Sequence, residues 1–564
     1  MTAARTGDVG AAGASLWQAV NPPPPPQDPL AGRISTEVLI VGAGISGLSL
    51  GLHLGAANTD TVILEADNDA TAATGASAGV VAPQLVRTTP DGVLRSLGGE
   101  TGARTLRMVA ESGRYTFGLI ERLGIRCNAN PSGFLNPVIG PQRAKAHARL
   151  IEEWRPFRDD LRLLEGADVR DICGCVGYSA AIVDPTGGGL DPLAYSRGLA
   201  KAAVGGGVRL YYNNRVSSLR RSGDRWLAQT PSGEVSARRV VLCANGGNAA
   251  LHPALARTVL PLPVCEVATR PLPASMREKI LPQGHALTDS SADVFSIRFD
   301  AAGRLITAIP GRQTIDRQQI DQLVNSRLAG AIPDYRTTPL EYIWQGTAWL
   351  NSSLLPRVLL VEDGLMAVQA CNGRGLAMNT IIGRELGRWM VAPQEGPPLV
   401  SLERPKRVAG FILARYLPVG TRRCSHRHER NHAQGTTGPV DYFQRRRNDD
   451  GAGRGQLVEV RETGQPESVR AKHDRVAGEH RIEGTRLSGI GAHRLDADAE
   501  DVSFLGEEGD TLGIEARRVG PVLANIQKLF RVGAFRPVGA NQYPRGLRDP
   551  PMGCLPLEHH IGRQ

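Results

Sequence analysis

Between residues 37 and 65 the hydrophobic pattern changes period twice. Residues 37–41 form a β-branched apolar run, a glycine-rich break follows, residues to about Ala56 keep a helical spacing, and 61–65 return to a strand pattern. This is a βαβ unit. Further on, 102–123 and 141–162 carry helical periodicity, and 192–204 carries it again. Strand patterns follow at 208–212, 216–220, 226–229 and 235–243, the last two joined across Pro231-Ser232-Gly233. The unbroken apolar end of the last run is what a buried parallel strand requires. Strand-like runs dominate 261–309, with a turn at 300–303, and a strand at 365–369 and a helix at 375–390 close the ordered pattern. The alternation predicts an α/β fold.

Composition narrows the function. The chain has 564 residues, 41% of them hydrophobic and 22% charged, enough for a large core and two or three domains. A net charge of +10 is dispersed along the chain, without the basic stripe that phosphate backbones demand, so nucleic acid is not an expected partner. Eight cysteines without a CxxC pair point to a reducing, cytoplasmic setting. Cys173 and Cys175 are assigned no role. No secretory signal is read at the N-terminus. Residues 38–57 are nearly uncharged, but five glycines interrupt them and no basic flank anchors them, so no transmembrane segment is expected. Peripheral membrane contact and oligomeric state are left open.

The two ends look different from the middle. Residues 1–34 form an Ala-, Gly- and Pro-rich arm in which Trp17 alone looks able to dock on a core. Residues 401–564 are read as a largely disordered extension, with a short helix near 522–530. Within it, Cys424, His426, His428 and His432 lack a matching second ligand pair, so no metal site is assigned. Arg445 to Arg447 are read as a solvated charge run.

The strongest chemical signal is Gly42-Ala43-Gly44-Ile45-Ser46-Gly47, directly after a strand and opening a helix, with Glu65 ending the next strand. Gly42 permits a tight turn, Gly44 lets backbone approach a pyrophosphate, and Gly47 allows close packing of helix on strand. The helix N-terminus stabilises phosphate charge, and Glu65 is spaced to accept hydrogen bonds from ribose hydroxyls. The motif predicts a dinucleotide but does not choose between FAD and NAD.

Several separated pieces resemble the D-amino-acid oxidase type of FAD-dependent oxidoreductase, over about residues 14–400. They are Ser15-Leu16-Trp17, the Gly42 fingerprint, the stretch from Thr74 to Gly79, Gly189-Leu190-Asp191-Pro192, residues 240–245, Trp344-Gln345-Gly346, and Cys371 to Gly375. The resemblance implies an FAD-binding Rossmann-like domain from 35–90, 185–260 and 345–400, and an inserted substrate domain of mixed or antiparallel sheet from 91–184 and 261–344. It implies FAD as cofactor, with Ser77, Ala78 and Gly79 near the flavin or pyrophosphate, Val216 against adenine, and Ala244 and Asn245 along the pyrophosphate. Gly373, Arg374, Gly375 and Leu376 match the loop that faces the flavin's pyrimidine edge. The polar pair that usually follows the serine is replaced here by Ala78-Gly79, and Asn351-Ser352-Ser353 stands where relatives have Thr-Pro-Asp.

The implied reaction is oxidation of the C–N bond of an amine or D-amino-acid-like substrate, with O2 or a quinone as electron acceptor. Such a substrate needs a carboxylate clamp, for which the planar fork of arginine is suited. Arg298, on a substrate-domain strand, is the first choice and Arg374 the second. No histidine or cysteine is placed for covalent flavin attachment. Two rival readings are a flavin enzyme acting on a modified tRNA base, which the dispersed charge disfavours, and a degenerate protein without catalysis.

Overall fold

The computed structural model describes residues 13–24, 30–291, 294–311 and 316–408, and the backbone of 501–505 and 511–515. At its centre the strand Gly32–Val41 runs parallel to Thr61–Leu64 on one side and to Gly233–Leu242 on the other. Across this nine-stranded sheet the order is Ser401–Glu403, Arg357–Glu362, Leu365–Gln369, Gly233–Leu242, Gly32–Val41, Thr61–Leu64 and Arg209–Tyr211. Arg225–Gln229 and Ser218–Ser222 continue it as antiparallel strands from Gly233–Leu242. Both faces are covered. Alternation sends Val38 and Ile40 into a core shared with the helices, and Leu39 and Val41 into a second core with Trp226 and Val240.

An eight-stranded sheet forms the other layer. Its order is Leu340–Asn351, Val259–Pro271, Arg304–Pro310, Ser296–Phe299, Ala286–Thr288, Phe134–Val138, Ala180–Asp184 and Arg162–Glu165. Among the described residues every pairing in it is antiparallel except that of Ala286–Thr288 with Phe134–Val138, so the sheet is mixed as expected.

The expected boundaries shift where packing overrides pattern. The helix Gly99–Leu123 comes from the segment assigned to the substrate domain, yet its Leu106, Val109 and Ile120 share a core with Ile381 and Leu386 of the nucleotide layer. The strand Leu340–Asn351 pairs in continuous register from Ala268↔Tyr342 to Val259↔Asn351, after a bulge at Thr269, so 345–351 belong to the substrate sheet. The helix expected over 141–162 ends at Trp154, because Pro156 cannot supply an N–H to a further turn. Val216 precedes the strand Ser218–Ser222 and is not part of it.

The two ends also differ from expectation. Gly32 already pairs in the central sheet, and Ser15 caps a short helix, Leu16–Val20, whose Leu16 and Trp17 are buried. Ser401–Glu403 adds a parallel edge strand beside Arg357–Glu362, so the globular part passes 400. Asp501–Leu505 and Thr511–Glu515 form a two-stranded sheet of their own. Cys424, His426, His428, His432, Arg445 to Arg447 and 522–530 lie outside the described residues. No described helix is long and apolar enough to cross a membrane.

The helix Ile45–Ala56 crosses Gly375–Val391 at a point where Gly383 meets Ser49. A Cβ on residue 383 would also lie 2.6 Å from the Leu50 nitrogen, so side-chain adjustment alone cannot relieve it. Gly383→Ala is expected to cost about 1–3 kcal/mol by forcing the helices apart. A lowered urea midpoint at constant slope reads this directly, and an unchanged midpoint would refute it.

Candidate functional site

A cleft of about 1200 Å³ opens between the two sheets, larger than a single drug-sized ligand requires. Its floor is the turn after the first strand. Gly42 has φ +106, a conformation that L side chains rarely adopt, and a Cβ there would press on the backbone of Cys243 and Ala244. Gly47 lies against the Gly42 carbonyl with no room for a Cβ, which seats the helix directly on the strand. Gly44 occupies the N-cap with no side-chain hydrogen bond, so the first helical N–H groups keep no internal partner. Gly42, Gly44, Ile45 and Ser46 line the cleft.

Glu65 lies beside this turn. Its Oε2 accepts the Ala43 N–H at 2.6 Å and its Oε1 accepts the Asp67 N–H at 3.2 Å. Burial raises its pKa above the ordinary value while those backbone donors pull it down. Val216, Ala244 and Asn245 line the same end of the cleft. The expected cofactor residues are therefore together, with Ala43 and Gly47 one layer behind the lining.

The stretch 76–79 lines the next part of the cleft and is held by its carbonyls. The Trp344 indole donates to the Ala76 oxygen at 3.0 Å, the Trp17 indole to the Ser77 oxygen at 2.8 Å, and Arg298 Nε to the Ala78 oxygen at 2.5 Å. Gly79 has φ +75, and its carbonyl accepts the Leu190 N–H.

This corrects the role expected for Arg298. Its other nitrogens donate to the Leu190 and Phe299 carbonyls, its guanidinium stacks 5.2 Å from the Trp17 ring centre, and it does not line the cleft. A guanidinium engaged by three carbonyls presents no fork to a substrate carboxylate. Burial lowers its pKa to about 10. Arg298 is a structural staple, and its charge binds backbone oxygens.

The opposite wall is the eight-stranded sheet. On the strand Val259–Pro271, Cys265 and Val267 turn into the sheet's own core while Val264 and Glu266 turn into the cleft. Glu266 pairs with Ala308, Ser296 with Thr288 and Asn136 with Ile182, and all six residues line the cleft. The hydroxyls of Thr288 and Ser296 bond each other at 2.9 Å, and Asn136 donates to the Thr288 carbonyl at 2.7 Å. The loop 371–376 closes this end. Asn372 has φ +41, takes the Asn351 N–H on its Oδ1, and leaves its buried Nδ2 without a partner.

Most charges on the lining are matched. Arg158 forks onto both oxygens of the fully buried Asp184, Asp67 meets Arg215, and Asp289 accepts Ser291 and Phe295 N–H groups. Three are not. Among the described residues the Arg374 guanidinium makes one hydrogen bond, to Gln84, and lies 5.6 Å from the Phe134 ring centre. Among the described residues Arg87 has no ion pair, and the charge of Arg87 adds to burial in lowering the Arg374 pKa to about 10. Among the described residues Glu266 has no hydrogen bond or ion pair, and it is 7% exposed. Burial pushes its carboxyl up to about 8, against the pull of Arg298.

Arg87 and Glu266 escaped the sequence reading. Glu266 leaves a trace, as the one charged residue in an apolar strand run from Val264 to Ala268. Arg87 leaves none, because it sits in a loop far in sequence from Arg374.

Arg298→Ala is expected to strip donors from the Ala78 and Leu190 carbonyls and a cation from Trp17. Leaving those groups unmatched costs about 1–3 kcal/mol each. Thermal unfolding should fall markedly and bound flavin should be lost more readily. Unaltered stability with a selective rise in substrate KM would restore the clamp.

A buried turn with free helix N–H groups, an acid beside it and an unpartnered Asn372 amide across the cleft is a donor set that suits a flavin dinucleotide. Comparison with known proteins agrees. The family model described as FAD dependent oxidoreductase matches residues 37–389. Gamma-glutamylputrescine oxidoreductase of Escherichia coli (strain K12) is 26% identical over 367 residues, covering 64% of this chain and 84% of that protein. Among solved structures, glycine oxidase from Geobacillus kaustophilus superposes with a TM-score of 0.54 at 19% identity, covering 64% of this chain and 95% of the other. L-proline dehydrogenase from P. horikoshii gives a TM-score of 0.54 at 16% identity, covering 64% and 94%. With a family match across well over half of its length, on a fold and cradle of this design, the chain belongs to the FAD-dependent oxidoreductase family and takes FAD as its cofactor.

Proposed function

We propose that the protein oxidises the C–N bond of a small amino acid, whose carboxylate is held by Arg374 and Arg87. The observation that carries this reading is the pair of arginines on the cleft lining with no carboxylate partner among the described residues. A buried arginine whose cost of burial a second cation raises is tolerated where an anion arrives beside it. Arg374 also forms the N-cap of the helix Gly375–Val391, whose uncapped end favours negative charge in front of it. The names of similar proteins, gamma-glutamylputrescine oxidoreductase and glycine oxidase, denote amine and amino-acid substrates and support the class.

Bound FAD supplies the acceptor for a hydride from the substrate carbon. The chain's own work is orientation. Arg374 and Arg87 fix the carboxylate, and the paired Thr288, Ser296 and Asn136 form a wall whose polar groups are already engaged. The ammonium first gives a proton to solvent; the carbon of the neutral amine then loses hydrogen with its electron pair, the nitrogen lone pair closes the C=N bond, and water hydrolyses the imine. The electrons then pass to O2 or a quinone.

Anaerobic titration of the yellow protein with D-amino acids, glycine, sarcosine and polyamines, while flavin bleaching is followed, tests this reading. Bleaching is expected from a compound bearing a carboxylate. Arg374→Ala should raise its KM about 10–100-fold with flavin retained, as loss of a charge-assisted contact implies. Bleaching by polyamines alone, or a KM untouched in Arg374→Ala, would overturn it.

A further inference from the structure

We propose that Glu266 forms a cation subsite in the cleft, receiving a protonated primary or secondary amine nitrogen of the ligand. The carboxylate lies on the cleft lining, more than nine-tenths buried, and among the described residues its Oε2 has no hydrogen-bond partner. Its strand neighbours offer it nothing. Ala308 stands opposite on one side and Trp344 on the other, and the Trp344 indole N–H already donates to Ala76. The cation that acts on it, Arg298, donates to the Ala78, Leu190 and Phe299 carbonyls and makes no ion pair with it.

A carboxyl buried without donors is costly, and burial holds it towards its neutral form, with a pKa of about 8. An apolar residue of the same size would be cheaper there. An ammonium group removes the penalty by supplying N–H donors and the opposite charge together. The charges acting on Arg374 are those of Arg87 and Asp289, whereas the one acting on Glu266 is Arg298. The cleft therefore holds two unsatisfied groups on different parts of its lining, one suited to an anion and one to a cation. The identity of the ligand as a substrate rests on the amine-oxidising reading; the cation subsite itself does not.

The test uses the full chain loaded with FAD and a probe that cannot be oxidised. tert-Butylammonium has no hydrogen on the carbon that bears nitrogen, and tert-butanol and pivalate are its neutral and anionic counterparts. Calorimetric titration and the flavin difference spectrum should show the ammonium binding about tenfold or more tighter than the alcohol. Glu266→Gln should abolish that preference while keeping flavin and thermal stability, and Glu266→Asp should keep part of it. If Glu266→Gln does not fold, Glu266→Asp with weakened but surviving cation preference carries the result. No preference in the native protein, or an undiminished preference in Glu266→Gln, would overturn the subsite. Cation preference without bleaching by any amine removes amine oxidation and leaves the subsite intact. Bleaching with a KM indifferent to Glu266 does the reverse.

Discussion

Three consecutive carbonyls, those of Ala76, Ser77 and Ala78, are each held by a buried side-chain donor from a different part of the chain. Trp344 comes from the substrate sheet, Trp17 from the N-terminal arm and Arg298 from a second substrate strand. The wall of the cofactor cleft is thus fixed by the layer that faces it and by a segment that precedes the whole fold. Trp17 and Trp344 also meet edge to face at 6.5 Å, and Arg298 stacks on Trp17, so the three donors support one another. Buried carbonyls need donors, and here the donors double as the joint between layers.

The same accounting explains what the cleft can receive. Several ions on its lining are matched, by an opposite charge as with the forked Arg158 and Asp184, or by backbone N–H groups as with Glu65 and Asp289. A buried charge left without such a match marks a place where a partner can arrive from outside. Arg374 with Arg87, and Glu266 on another strand, are such places. The polar groups between them, Thr288, Ser296 and Asn136, bond each other and ask nothing of a ligand.

Much of the nucleotide half was legible. The turn Gly42 to Gly47 has a reason for each glycine that does not depend on the rest of the chain, because backbone conformation and close approach are local constraints. The strands 61–64 and 365–369 and the helices from 192 and 375 follow from periodicity for the same reason. Glu65 was legible too, since a strand of fixed rise carries it to the turn. The helix Gly99–Leu123 was found but assigned to the wrong layer, because its apolar face fits either one and only contact with Ile381 and Leu386 decides.

Arg298 and Glu266 mark where local reading ends. Both lie on strands whose alternation shows which face each residue takes, but not what stands opposite. Arg298 meets carbonyls brought from 78 and 190, and Glu266 meets open cleft; no pattern within their own strands distinguishes the two outcomes. The sequence by itself determined the dinucleotide turn and the order of most elements, since these rest on periodicity and on backbone geometry near in the chain, while the family came through the resemblance of separated motifs. Tertiary structure alone decided which charges are neutralised, because neutralisation depends on donors and acceptors brought together from residues more than a hundred positions apart.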